Sequence, residues 1–489
     1  MKFSNFLPTI LSLSSLFSSI AADTNTSSSQ QILNNEFKPP QVFKNVNLLR
    51  IKNLEKSYVR ETINVVIENI DSEPQSEYYI LFEGNEIGHV GGLEVRDKKR
   101  PDEPAFTSEI VGNGSYSSAQ YYIVHLPTPL SPKSQQTLSI KYNILSQLRP
   151  KPASIPQTGN QHILYEFSSY VPSAYETASQ KTRIKVPTTK ISPITGSHKP
   201  ESEGRTLTYG PFSEPIPAFE TSPASIRYEY THPLLTVPSL HRLLEVSQWG
   251  GNLATEESYD VRNRAANLTN QFSRVTWQMN QYYNPPTTAL KDLLIPLERG
   301  TSDAYFTDDV GNVSTSNFRP GTNTRNGLIE LKPRYPVFGG WKYTFKVGWN
   351  SELSFYLRSL SLPTPTFVLK VPFLEGPKVS EGISYEEVEV SVVLPEGARN
   401  VKFETEIPIT GHEITLHKTF MDTIGRTQLK LRASNVIDED KDKTLIVTYE
   451  YPAGAMYRKP LTVFASTLAL FGAVWLLSCL DTSIGKKAT

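Results

Sequence analysis

Leu461 to Leu480 reads LTVFASTLALFGAVWLLSCL, twenty residues without one charged side chain. As a helix rising ~1.5 Å per residue, it is long enough to cross a hydrocarbon layer of ~30 Å. Such a run at one end of a chain makes a poor globular core helix. The remainder must therefore fold as a body held at a bilayer. Residues 1–21, MKFSNFLPTILSLSSLFSSIA, carry Lys2, then an uncharged apolar stretch from Phe6 to Ile20, with small residues at Ser19 and Ala21. This is the pattern of a secretory signal peptide cleaved near Ala21 or Ala22. Arg458-Lys459 and Lys486-Lys487 flank the second apolar segment on both sides, so charge bias does not orient it. The leader does: it sends the chain across, and the second segment stops transfer. A type I single-pass protein is expected. Lys486 and Lys487 stand fourth and third from the C-terminus, which matches a dilysine retrieval signal. The implied address is the endoplasmic reticulum membrane, with the bulk in the lumen.

Composition narrows the body. Forty-nine basic and 49 acidic residues leave no basic surplus, against a nucleic-acid partner. The single cysteine, Cys479, lies within the apolar run. It excludes intramolecular disulfides and cysteine-rich zinc or iron–sulfur sites. A body in an oxidising compartment must then be held by core burial alone, which its length permits.

Period-two alternation dominates. Leu138, Ile140 and Tyr142 alternate with Ser139, Lys141 and Asn143, and Thr62–Ile70, Tyr121–Leu126, Thr182–Val186, Val388–Leu394, Gln428–Leu431 and Lys443–Tyr451 read as further strands. Tyr259 to Phe272 reads as a short helix or a strand end. The Pro-rich segments Leu148–Gln157, Pro187–Pro200 and Pro285–Pro286 read as surface loops or linkers. Ser225-Ile-Arg-Tyr-Glu-Tyr resembles Ile446-Val-Thr-Tyr-Glu-Tyr, and Leu48-Leu-Arg-Ile rhymes with Arg242-Leu-Leu-Glu-Val, a sign of internal duplication. The expected fold is mainly β: two tandem β-sandwich-like units followed by one C-terminal transmembrane helix. The expected boundaries are 1–22 signal peptide, 23–36 flexible N-terminus, 37–233 first lumenal β-rich domain, 234–456 second lumenal β-rich domain, 457–480 transmembrane helix and 481–489 cytosolic tail.

The search for chemistry returns little. His412, Glu413 and His417 lack the spacing of a helical zinc site and read as surface residues. Asp438-Glu439-Asp440 has a D-x-D form but sits in the run DEDKDK, which reads as a solvated turn, and Asp308-Asp309 is similar. No catalytic, cofactor or metal residue is assigned, and no cofactor is expected. Arg334 to Trp349, RYPVFGGWKYTFKVGW, puts Trp341, Tyr343 and Phe345 on one strand face and Lys342, Thr344 and Lys346 on the other. This is a core strand or, in the functional alternative, a platform on which a sugar or peptide stacks. Sequons at Asn25, Asn113, Asn267 and Asn312 are candidate glycosylation sites, about as many as chance predicts. Ala465, Ala469 and Ala473 recur every four residues and offer a helix-packing face.

Five motifs occur in order: Glu245-Val-Ser-Gln-Trp-Gly250, Gly311-Asn-Val-Ser-Thr-Ser316, Pro333-Arg-Tyr-Pro-Val-Phe-Gly-Gly-Trp-Lys342, Leu394-Pro-Glu-Gly-Ala-Arg-Asn400 and Asp422-Thr-Ile-Gly-Arg426. Together they resemble the ribophorin I family, the alpha subunits of the oligosaccharyltransferase complex, with Trp249, Trp341 and Trp349 as the family aromatics. The resemblance implies a non-catalytic subunit of the complex that moves an oligosaccharide from dolichyl diphosphate to Asn of N-x-Ser/Thr. It implies a scaffold and acceptor-presenting role. The partners would be a catalytic multispanning subunit, other membrane subunits and nascent polypeptides. Asn312 matches a family sequon. The nine residues after Leu480 resemble the short-tailed fungal form and put the cytosolic contacts of long-tailed animal members in doubt. Two other readings stand beside this one: a lumenal lectin-like chaperone, and a membrane-anchored hydrolase with an unrecognised carboxylate pair.

Overall fold

The computed structural model describes residues 31–33, 37–83, 86–113, 119–283, 285–322, 324–360, 365–419 and 422–480. The leader, Asn25 and Lys486-Lys487 lie outside these residues. Alternating apolar positions build long strands with one buried face, as in Val59–Asn69, where every second residue is buried. All seven runs read as strands coincide with strands, with Ile70, Val186, Lys443 and Tyr451 just beyond the strand ends.

The first unit centres on a seven-stranded sheet. Its strands are β1 (Phe43–Asn53), β2 (Val59–Asn69), β3 (Val90–Asp97), β4 (Gln135–Ile144), β5 (Gln180–Lys185), β6 (Glu201–Glu203) and β7 (Thr206–Phe212). They lie in the order β6-β7-β5-β1-β2-β4-β3. The second unit repeats this plan with β8 (Leu235–Ser247), β9 (Asn252–Asn263), β10 (Ser302–Asp308), β11 (Lys342–Glu352), β12 (Ile383–Glu396), β13 (Gly411–His417) and β14 (Arg426–Ile437). The order is β13-β14-β12-β8-β9-β11-β10, closed by the two-residue strand Gly311–Asn312. Each strand of the first sheet thus has its counterpart seven places on. Each sheet has one parallel pair at the same place, β1 with β5 and β8 with β12.

The smaller sheets repeat as well. Ile191–Gly196, Pro223–Glu229, His162–Ser168 and Arg149–Pro150 form one, and Arg399–Thr405, Thr444–Glu450, Thr366–Pro372 and Leu357–Leu360 form its counterpart in the same order. The two rhyming segments, at Ser225 and Ile446, lie in matching strands. Large and small sheets share one core in each unit, the first running from Phe43 to Leu234 and the second from Leu235 to Ala455. Even the buried charges correspond: Lys52 lies opposite Glu61, and Arg242 opposite Glu257, on the first hairpin of each unit.

Three segments read as flexible or as loops are corrected, and one open choice is decided. Gln31–Leu33, within the stretch expected to be flexible, pairs in parallel with Val111–Asn113. Of the two readings of Tyr259 to Phe272, the strand end holds: Tyr259, Val261 and Asn263 keep the buried alternation of β9 to its last residue, and a helix follows only at α1 (Arg274–Tyr283). Two Pro-rich segments are not free loops: in Leu148–Gln157, Ser154 and Ile155 pair with Asn267 and Leu268 of the second unit, and in Pro187–Pro200, Ile191–Gly196 is a strand paired with Pro223–Glu229.

At the far end, α2 (Ala453–Met456) tucks Ala455 against Gly397, and α3 (Arg458–Cys479) leaves the body with no buried residue. Its 22 residues are long and apolar enough to cross a membrane.

Candidate functional site

The two units meet along a seam built from groups that a single sequence does not bring together. Asn435 of β14 donates to the carbonyls of Gly88 (2.9 Å) and Val90 (3.0 Å). Ser57 donates its backbone N–H to Glu381 and its hydroxyl to the Gly382 carbonyl, both at 2.8 Å. Gln161 accepts from the Ala266 N–H at 2.6 Å and donates to the carbonyls of Tyr230 and His232. Tyr58, Leu145 and Ile437 form a small apolar cluster across the join.

The DEDKDK run belongs to this seam, which corrects its reading as a solvated turn. Asp438 accepts from Tyr58 (2.8 Å) and pairs with Lys56 (3.2 Å), and Glu439 pairs with Lys56 and Arg60. Burial, then the charge of Asp438, pushes the Tyr58 hydroxyl well above its usual range. Asp440 turns back to accept from Ile437 N–H (3.1 Å). Asp438 and Glu439 are thus taken up by cations and a donor of the first unit, and Asp440 by Ile437 and Lys443 of its own.

Beside the clasp runs an open groove of about 1250 Å³. Pro233, Pro286, Leu290, Leu294 and Val379 line it, and Lys378, Lys441 and Glu381 stand among its charged residues. A smaller recess of about 400 Å³ continues it beneath α1, against Trp277 and Asn280. Gln157 fixes the start of α1 by bonding Ser273 through both ends of its amide. In the groove His232 bonds Glu381 (3.1 Å), and this bond more than offsets burial to hold the Glu381 carboxyl at about 2. Burial lowers Lys441 to about 8, where it donates to the carbonyls of Gly376 and Pro377. Glu439 is also held below the usual carboxylate range, burial being outweighed by Arg60 and Lys56. Neither carboxylate can serve as a proton donor near neutral pH. Among the described residues no group of three or more His, Cys, Asp or Glu is placed to hold a metal.

A family model described as Ribophorin I matches residues 43–478. The chain belongs to the ribophorin I family. Among its relatives is dolichyl-diphosphooligosaccharide–protein glycosyltransferase subunit 1 of Schizosaccharomyces pombe, 30% identical over 444 residues, covering 89% of this chain and 95% of that one. The Caenorhabditis elegans subunit 1 is 31% identical over 431 residues, covering 86% and 69%. Subunit 1B of Arabidopsis thaliana is 28% identical over 450 residues, covering 90% and 92%.

The ribophorin I motifs do not converge on one site. Trp349 is buried in the core of β11 with Tyr343 and Phe345. Trp341 is half-buried against Phe272, Phe338 and Tyr335. Trp249 stands exposed in the β8–β9 turn. The rings of the aromatic strand are therefore largely spent on packing. Gly339 and Gly340 make the turn before it. A Cβ at Gly339 would collide with the carbonyl oxygens of Ala265 and Ala266, and Gly340 sits at φ +77°. Asn312 is exposed beside β10, with its carbonyl accepting from Arg334 (2.9 Å), and Asn267 is exposed at the seam. Asn113 ends the strand Ser108–Asn113. His412 and His417 lie on the edge strand β13. Asp308 pairs with Arg334 and accepts from Tyr343 (3.1 Å), so it braces the aromatic strand. Ala465, Ala469 and Ala473 are all exposed on α3.

Proposed function

We propose that this chain is subunit 1 of an oligosaccharyltransferase complex, the assembly named for its relatives, and that it supports glycan transfer to Asn without performing it. The observation that carries this reading is the extent of the match, 89% of this chain and 95% of the S. pombe subunit, continuing into α3. In this reading α3 anchors the protein once in the endoplasmic reticulum membrane, with the β-rich body in the lumen and Lys486-Lys487 in the cytosol. The ionised, salt-bridged carboxylates of the seam favour a scaffold over a hydrolase. The groove, with apolar lining and charged residues, suits an extended acceptor polypeptide. Depleting the protein should lower sequon occupancy across many secretory proteins and reduce recovery of the complex's other membrane subunits. Normal occupancy after depletion, measured by mass spectrometry of glycopeptides, overturns the reading.

Lipid alone can solvate α3, but the alanine face at 465, 469 and 473 lets a second helix approach closely. Ala469→Leu should reduce co-purification of the membrane subunits in detergent while leaving the body folded. Unchanged recovery counts against that face.

A further inference from the structure

The end of the second unit from which α3 leaves is unusual for a solvent-facing surface. Trp249, in the β8–β9 turn, is 79% exposed, Phe355 is 53% exposed and Ile424 is 51% exposed. Leu360 is exposed at the same end, where it pairs with Thr366 opposite Glu450. Bonds tie these tips to the strand that leads into α2 and α3, and to α3 itself at Asp422. Gln248, next to Trp249, donates to the Tyr449 hydroxyl at 2.9 Å. Leu353 N–H donates to Gly251 at 2.9 Å and brings the turn holding Phe355 alongside. Glu396 accepts from the backbone N–H groups of Thr423 (2.7 Å) and Ile424 (2.6 Å), so Ile424 is held rather than loose. Asp422 pairs with Lys459 of α3 at 3.1 Å, and Arg426 bridges Asp422 to Glu245. Thr419 and Lys459 outweigh burial to bring the Asp422 carboxyl down to about 2, so the clasp stays charged.

Arg358, Arg399 and Lys418 are exposed around these apolar tips, with Arg458 and Lys459 at the helix start. Glu352 and Glu450 lie at the same end. Aromatic and aliphatic tips interleaved with basic side chains, level with the entry of an apolar helix, form the pattern of a bilayer interface. Protein interfaces also enrich aromatic and arginine side chains, so it is the position of these tips, level with the entry of an apolar helix, that favours lipid.

We propose that this end of the second unit rests on the membrane surface, with Trp249, Phe355 and Ile424 seated among lipid headgroups around α3. The bonds through Asp422 and Glu396 would then make the anchor and the body one rigid piece. The proposal rests on reading α3 as the membrane span.

The test uses the full chain in vesicles of phosphatidylcholine and phosphatidylserine. In a Cys479→Ser background, Trp249→Cys, Phe355→Cys, Ile424→Cys, Leu470→Cys and Tyr282→Cys variants are labelled with a nitrobenzoxadiazole dye. Tyr282 is the control, 85% exposed on α1 at the opposite end of β9 and β11. Dye at 249, 355 and 424 should lose most of its emission to a nitroxide carried on lipid headgroups, and dye at 282 should keep it. Dye at 470 should be quenched by an acyl-chain nitroxide. If 470 is quenched while 249, 355 and 424 are not, the surface proposal falls and the anchor stands. If 470 is not quenched, the anchor reading itself falls. Shielding of 249 and 424 only when other membrane subunits are bound would assign this end to a protein partner and overturn the proposal.

Discussion

Gly91→Ala is expected to open the seam between the two units. A Cβ at Gly91 would lie 2.8 Å from the carbonyl carbon and the Cβ of Asn435, and nearer still to its carbonyl oxygen. Real Cβ atoms do not approach backbone so closely, and neither side can yield cheaply. Asn435 is fixed by its two bonds to Gly88 and Val90 and sits at φ +57°. Its strand, β14, is paired on both sides, with β12 and β13. Overpacking costs about 1–3 kcal/mol, and the upper end is expected where the added atom meets fixed backbone. The least costly relief is separation of β3 from β14, which exposes Tyr58, Leu145 and Ile437. The variant should unfold in two thermal steps or at a clearly lower temperature, and limited proteolysis should cut near Thr231–Pro233. Gly88→Ala is the control, because nothing lies within 4 Å of its added Cβ. If Gly91→Ala melts like the unaltered chain, the seam is not rigid.

That prediction rests on a contact between residues 344 positions apart, which marks the limit of reading along the chain. Strands were legible because alternation is local: Leu138 to Ile144 announces its buried face without knowledge of its neighbours. The duplication was legible at Ser225 and Ile446 because matching strands bury matching Tyr residues. The helix α1 gave no clear signal because its inward residues, Thr276, Trp277 and Asn280, are only half-buried and give a weak helical stripe. The DEDKDK run looked solvated because its cations, Lys56 and Arg60, come from the other unit. Gly91 gave no signal, since one glycine in a strand reads alike whether it faces water or another backbone.

Arg242→Met should be the more damaging substitution within a single unit. The Arg242 side chain is 1% exposed, and it pairs with Glu257, which is 0% exposed, and with Glu375 at 2.6 Å. Tyr259 adds a hydroxyl to Glu257 at 2.5 Å. Removing the guanidinium leaves two carboxylates facing each other out of water. Breaking a buried pair from one side costs about 3–5 kcal/mol, whereas replacing the whole group by apolar or neutral residues can be nearly neutral. Urea unfolding should therefore show a large loss for Arg242→Met and substantial recovery in Arg242→Met/Glu257→Gln/Glu375→Gln. Equal loss in both would mean that shape, not charge, holds the site. The matching hub in the first unit answers acid in the opposite sense. Burial would raise Glu61, but Arg50 and then Lys52 outweigh it and hold the carboxyl at about 2. Its contribution is complete above the ordinary carboxylate value near 4.5 and is lost as pH falls through 2. Glu375 is raised, first by burial and then, against the pull of Arg242, by the charge of Glu257. Its protonation begins above the ordinary value, so mild acid relieves the second hub before it touches the first. Glu61→Gln should remove this group's share of the first unit's acid sensitivity, at a cost in stability near neutral pH because Arg50 and Lys52 then lack their anion. Stability curves between pH 3 and pH 7, compared for Glu61→Gln and Glu375→Gln, would show slopes of opposite sign relative to the unaltered chain. Slopes of the same sign would mean that the two hubs, alike in topology, are also alike in electrostatics.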